Sequence, residues 1–120
     1  MKFNNETLKD AVKEWLKDAS EAEAKYGHIS NWDTSEVTDM SELFLNASTF
    51  NEPLGNWDVS KVTNMQGMFW MAHRFNKSLK NWDVSNVTNM ESMFREAFKF
   101  NQSIGNWDVN NITNMKEMFS

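Results

Sequence analysis

Trp57-Asp58-Val59-Ser60-Lys61-Val62-Thr63-Asn64-Met65, with Met68-Phe69, Ala72 and Phe75-Asn76 behind it, returns 25 residues later. The second copy reads Trp82-Asp83-Val84-Ser85-Asn86-Val87-Thr88-Asn89-Met90, then Met93-Phe94, Ala97 and Phe100-Asn101. Working outward, Trp32-Asp33, Met40, Leu43-Phe44, Ala47 and Phe50-Asn51 precede it at the same step, and Trp107-Asp108, Met115 and Met118-Phe119 follow. Leu54, Leu79 and Ile104 keep the step too, and no insertion interrupts it. A fixed period over so many positions is a tandem repeat, and it governs the reading of everything else.

Within one unit two apolar patterns alternate. Met65, Met68, Phe69 and Ala72 fall at i, i+3, i+4 and i+7, the spacing of one helical face, and follow Thr63-Asn64, good N-cap types. Leu54, Trp57, Val59 and Val62 follow L-x-x-L-x-L-x-x-L, with Trp57-Asp58-Val59 alternating in, out, in like a short strand. The expected fold class is therefore α/β: a leucine-rich-repeat-like solenoid of 25-residue coils, each with a short parallel strand and a short helix.

Residues 1–28 lie outside the repeat. Leu8, Ala11, Val12, Trp15, Leu16 and Ala19 form a helical stripe with Asn5 as its N-cap, which reads as an amphipathic capping helix and junction. Trp15 and Leu16 are expected to bury against the first coil. Residues 29–120 then form about 3.5 coils of one single-domain array. The fourth coil has no such covering, so it is expected either to fray or to self-associate end to end.

The 120 residues carry 12 basic and 17 acidic side chains, a net charge of -5, and no cysteine. Thiol catalysis, disulfide scaffolds and Cys-ligated metals are excluded, and the acidic balance argues against nucleic acid as a partner. No apolar run approaches a membrane span, and the first residues lack the apolar stretch of a signal peptide.

The V-T-N-M, W-D and M-F set, together with Tyr26-Gly27-His28-Ile29-Ser30-Asn31-Trp32-Asp33, resembles the repeat of roughly 25 residues found in BspA-like bacterial surface proteins and mycoplasma lipoproteins, a domain of unknown function. The resemblance covers about residues 26–120. It implies a leucine-rich-repeat-like fold, display on a cell surface or secretion, and a role in protein binding or adhesion.

Catalytic constellations are missing: His28 and His73 stand alone, with no nucleophile set, phosphate loop or zinc motif. No enzyme and no cofactor is expected. Asp33, Asp58, Asp83 and Asp108 fall in register, at about 4.8 Å if coils stack as strands do. Such a column accepts hydrogen bonds from Ser35, Ser60 and Ser85 or their backbone N–H groups, or else binds calcium between coils. Asn51, Asn76 and Asn101, and likewise Asn31, Asn56, Asn81 and Asn106, read as ladders that satisfy corner backbone.

Binding residues are sought where coils differ. After the helical stripe the second coil has Trp70, His73 and Arg74, and the third has Arg95, Phe98 and Lys99. Aromatic and Arg side chains outside the repeating core are candidate partner contacts, or else they cover the helix row. Charge also varies: Asn31 to Asn56 carries Asp33, Glu36, Asp39, Glu42 and Glu52 with no base, whereas Trp57 to Asn81 is net basic. The expectation is a non-catalytic protein-interaction or adhesion module. The alternatives are a structural spacer of a longer surface array and a calcium-stabilised repeat.

Overall fold

The computed structural model describes residues 2–120; Met1, the first residue of the expected 1–28 cap, lies outside them. Asn4 starts helix α1 (Asn5–Lys17). Its side chain accepts from the Thr7 N–H at 2.8 Å, while the Thr7 hydroxyl accepts from the Asn4 N–H at 2.9 Å, a reciprocal capping box. The N-cap is thus Asn4. Asn5, expected in that role, is the first helical residue and its side chain serves elsewhere.

Leu8, Ala11, Val12 and Trp15 form the buried face of α1. The single expected helix is in fact two. Asp18, with extended backbone, ends α1 and accepts from the Glu21 N–H to cap α2 (Ala19–Tyr26). Because the chain breaks there, the apolar stripe stops at Trp15. Leu16, expected in the core, is 41% exposed, and Ala19 is exposed as well. The Tyr26 hydroxyl and the Lys25 ammonium both donate to the Glu14 carboxylate, which ties α2 back onto α1.

Beyond a 3-10 turn at Ile29–Asn31, the described residues form no further helix, and their pairing is limited to isolated parallel bridges. This overturns the α/β leucine-rich-repeat-like solenoid: neither the strand nor the helix of the expected coil exists. The chain folds compactly, and its radius of gyration of 13.3 Å matches the roughly 13.6 Å of an ordinary globular chain of this length.

The hydrogen bonds show what replaces the helix. An α-helix sends each N–H four residues back. Here the N–H groups of Met40, Glu42, Phe44 and Asn46 donate sideways, to the carbonyls of Asn64, Gln66, Met68 and Trp70 in the next unit. Those of Leu43, Leu45 and Ala47 donate three residues back, closing successive turns. The two patterns alternate residue by residue, and they recur from Met65 to Met71 and from Met90 to Glu96.

Turning the N–H outward at every other residue requires backbone that a right-handed helix does not contain. Glu42, Gly67, Ser92 and Glu117 all have φ between 55° and 61°, as do Met71 and Glu96, with Asn46 at 63°. L-residues enter this region at a cost of about 1–2 kcal/mol each, so the lateral bonds and the buried side chains must outweigh it. Met40, Leu43, Phe44 and Ala47 are still buried. A spacing of three and four marks one side of consecutive turns as well as one face of a helix.

The strand-like half behaves similarly. Trp57 and Val59 are buried and Asp58 is exposed, the alternation expected of a strand, but Trp57 and Val62 close turns with Leu54 and Val59 instead of pairing in a sheet. Unit-to-unit contact comes from the Thr63, Thr88 and Thr113 N–H groups, each donating to the Thr carbonyl 25 residues before. It also comes from the indole N–H groups of Trp57, Trp82 and Trp107, which donate to Ile29, Leu54 and Leu79 carbonyls at 2.8, 2.9 and 3.0 Å.

Aromatic stacks fill the centre. Phe44, Phe69, Phe94 and Phe119 lie 5.4–5.6 Å apart, nearly parallel, with Phe50, Phe75 and Phe100 stacked beside them. In the first unit Thr34 stands where later units have Val59 and Val84. Its buried hydroxyl donates to the Asp58 carbonyl at 2.9 Å, so no polar group is stranded. α1 covers the first unit: Trp15 and Phe3 pack on Trp32, and the Asn5 amide oxygen accepts from the Thr38 N–H at 2.8 Å and the Asp39 N–H at 3.3 Å.

Candidate functional site

Because the period is 25, side chains that differ between units still fall in columns. Trp70 and Arg95 share one column, His73 and Phe98 a second, Arg74 and Lys99 a third. The structure brings the first two pairs together. The Arg95 guanidinium lies 5.1 Å over the Trp70 ring and reaches Glu117 at 2.6 Å. The Trp70 indole N–H donates to Glu96 at 3.3 Å. The His73 and Phe98 rings stack at 5.1 Å and 12°.

Phe98 is nevertheless 71% exposed, the most exposed large apolar side chain described. Arg74 and Lys99 are exposed beside it, and neither has an ion pair among the described residues. The result is an aromatic platform flanked by two free cations. Trp70 and Arg95 are half-buried, and a cation–π contact near the surface contributes about 0.5–1 kcal/mol. Sequence reasoning named these six residues but not the pairing, which only the lateral register creates.

The Asp column is differently occupied. Asp33, Asp58 and Asp83 each accept from the N–H of the Ser two residues on, at 2.9–3.1 Å, and from its hydroxyl at 2.6 Å. Asp108 accepts from the N–H of Asn110, which stands in the place of serine. The Ser hydroxyls first, and the Ser N–H groups second, hold the Asp33, Asp58 and Asp83 carboxyls below the ordinary carboxylate range. No cluster of three or more metal-ligating side chains exists among the described residues. Millimolar calcium is expected to leave the melting temperature unchanged; a rise of several degrees, reversed by chelation, would show that ions bind these carboxylates in the folded state.

A lowered folded-state pKa stabilises the fold above the unfolded value of about 3.9 and is lost as pH falls through the lowered value. Stability should therefore decline progressively on acidification below about pH 4. Changing Ser35, Ser60 and Ser85 together to alanine should lower the melting temperature at pH 7 and shrink the further drop toward pH 2. Equal acid sensitivity in the parent and the variant would contradict this.

The Asn ladders divide. Asn51 and Asn76 accept from the N–H groups of Asn76 and Asn101, both at 2.9 Å. Asn31, Asn56, Asn81 and Asn106 are exposed, and their side chains make no hydrogen bond among the described residues. His28 lies within 3.7 Å of Glu52 and 2.7 Å of the Ser30 hydroxyl. No described helix is long and apolar enough to cross a membrane.

With this geometry in view, a family model described as "Mycoplasma protein of unknown function, DUF285" matches residues 6–120. The chain belongs to that family. No curated protein and no solved structure matches. The match spans all but the first residue of α1 and the whole of the 25-residue units that follow. Sequence reasoning missed two features of this DUF285 chain. One is the Asn5 bridge to Thr38 and Asp39. The other is the left-handed column at 42, 67, 92 and 117, for which the one glycine, Gly67, was the available signal.

Proposed function

We propose that this chain is a non-catalytic module that binds a protein partner through Trp70, His73, Arg74, Arg95, Phe98 and Lys99. The observation that carries the reading is Phe98: a phenylalanine 71% exposed, stacked on His73, between unpaired Arg74 and Lys99. Interfaces concentrate binding energy in aromatic and Arg side chains, and Phe98 stacked on His73 beside Arg74 and Lys99 offers those residue types to a partner. The resemblance to BspA-like surface proteins supports display at a cell surface and a role in adhesion.

The competing reading, a structural spacer, makes the opposite demand on the same residue. A photo-reactive amino acid placed at position 98 should cross-link one discrete partner from the source cell surface, and the same group at exposed Asp10 should not. Phe98→Ala should then weaken that partner at least about tenfold, equivalent to about 1.4 kcal/mol, and shift the melting temperature by no more than a degree or two. A melting temperature lowered by many degrees with binding unchanged would favour the spacer.

A further inference from the structure

The corner that carries Phe98 is basic in a way the repeat does not require. Arg74, Lys77 and Lys80 of the second unit and Lys99 of the third lie there, and no acidic residue falls between Val59 and Trp82 or between Ala97 and Trp107. The first unit builds the same corner with Thr49, Glu52 and Gly55 in the places of Arg74, Lys77 and Lys80, and the third has Gln102 and Gly105 in the last two. Elsewhere Lys25, Lys61 and Arg95 each pair with a carboxylate, whereas none of these four cations has an ion pair among the described residues. Arg74 and Lys99 share a column, so the stack sets like charges side by side, a repulsion that a bound anion relieves.

We infer, resting on the protein-binding reading of this surface, that the partner presents an acidic peptide segment with an aromatic residue in it. The partner's ring meets Phe98, stacked at 5.1 Å on His73, and its carboxylates pair with exposed Arg74, Lys80 and Lys99, with Lys77 half-buried on the same corner. The site is held in advance. The Lys99 N–H donates to the His73 carbonyl at 3.2 Å, and the Asn76 amide oxygen accepts from the Asn101 N–H and the Gln102 amide, both at 2.9 Å. These bonds fix the register of the two units, so little backbone freedom is lost on binding.

The extent of the patch selects a peptide over a longer polyanion. The cations occupy two units, and the unit on the α1 side places Glu52 in the Lys77 column, 3.7 Å from His28. From Asn31 to Asn56 that unit carries Asp33, Glu36, Asp39, Glu42 and Glu52 and no base. A uniformly charged polymer, such as a nucleic acid or a sulfated polysaccharide, would run from the cations onto these carboxylates and be repelled. A peptide confines its charge to a few residues and supplies the ring as well. In a chain of net charge -5, four free cations on one corner also steer an acidic segment to that corner.

Random peptides displayed on phage and selected on the full chain supply the probe. Those that lose binding to Phe98→Ala should carry two or more Asp or Glu within a few residues of a Phe, Tyr or Trp. For a synthetic peptide of the most enriched sequence, Arg74→Glu with Lys99→Glu should lower affinity at least about tenfold. Both side chains are exposed, so the melting temperature should not fall. Raising ionic strength from about 0.01 M to about 1 M shortens the screening length from about 30 Å to about 3 Å, and should weaken the parent far more than the variant. Phe98-dependent peptides without acidic residues, or equal affinity for the charge-reversed variant, overturn the inference and leave the protein-binding surface standing. If no selected peptide depends on Phe98, that surface falls with it. A sulfated polysaccharide that displaces the peptide and binds Phe98→Ala as tightly as the parent also overturns the inference, assigning the cations to a polymer.

Discussion

Replacing Phe69 by alanine is expected to cost about 3–5 kcal/mol of stability, the range for deleting a large buried aromatic. Phe69 is fully buried at the crossing of the stacks, 5.5 Å from Phe44, 5.6 Å from Phe94 and 4.3 Å from Phe75, with Trp82 at 6.4 Å. Its N–H also donates to Met93, so the side chain holds in place a backbone that bonds sideways. A domain stable by 5–15 kcal/mol overall has little to spare for such a loss. Urea denaturation of the variant beside the parent gives the difference directly. A loss below about 1 kcal/mol would mean that neighbouring rings close the cavity and that the stack is not the core's main support.

Trp15→Ala should cost a similar amount, about 3–5 kcal/mol. Trp15 is buried, in edge-to-face contact with Trp32 at 5.9 Å and with His28 at 5.2 Å, so it joins α1 to the first unit. Leu16→Ala supplies the contrast. Leu16 is the next residue on the same helix and equally apolar, but it is 41% exposed, so its loss should stay within about 0.5 kcal/mol. Thermal melts of the two variants measure the difference. Equal losses would mean that α1 is turned about its axis from the orientation described.

Phe69 and Trp15 are residues that the sequence already placed inside; Leu16, expected beside Trp15, is the one that the structure exposes. The 25-residue step put Met40, Phe44, Met65, Phe69, Met90 and Phe94 in one buried set, and all are buried. The candidate surface was legible for the same reason: Trp70 and Phe98 stood out because the repeat did not require them. What failed was the passage from apolar spacing to backbone conformation. Three-and-four spacing fits a helix, and nothing local in Met-x-x-Met-Phe distinguishes helix from consecutive turns.

The period of this chain determined by itself that similar units recur every 25 residues, which of their side chains are buried, and where aromatic and cationic residues escape the pattern. Only the tertiary structure decided that each unit is a run of turns. A lone segment would gain nothing from left-handed residues at 42 and 46, since their cost is local and their return is not. The N–H groups they turn outward find carbonyls only when the next unit stands alongside, 24 residues further on. Hydrogen-bond partners so distant in sequence leave no trace in local spacing, so the same residues read as helix until their neighbours are in place.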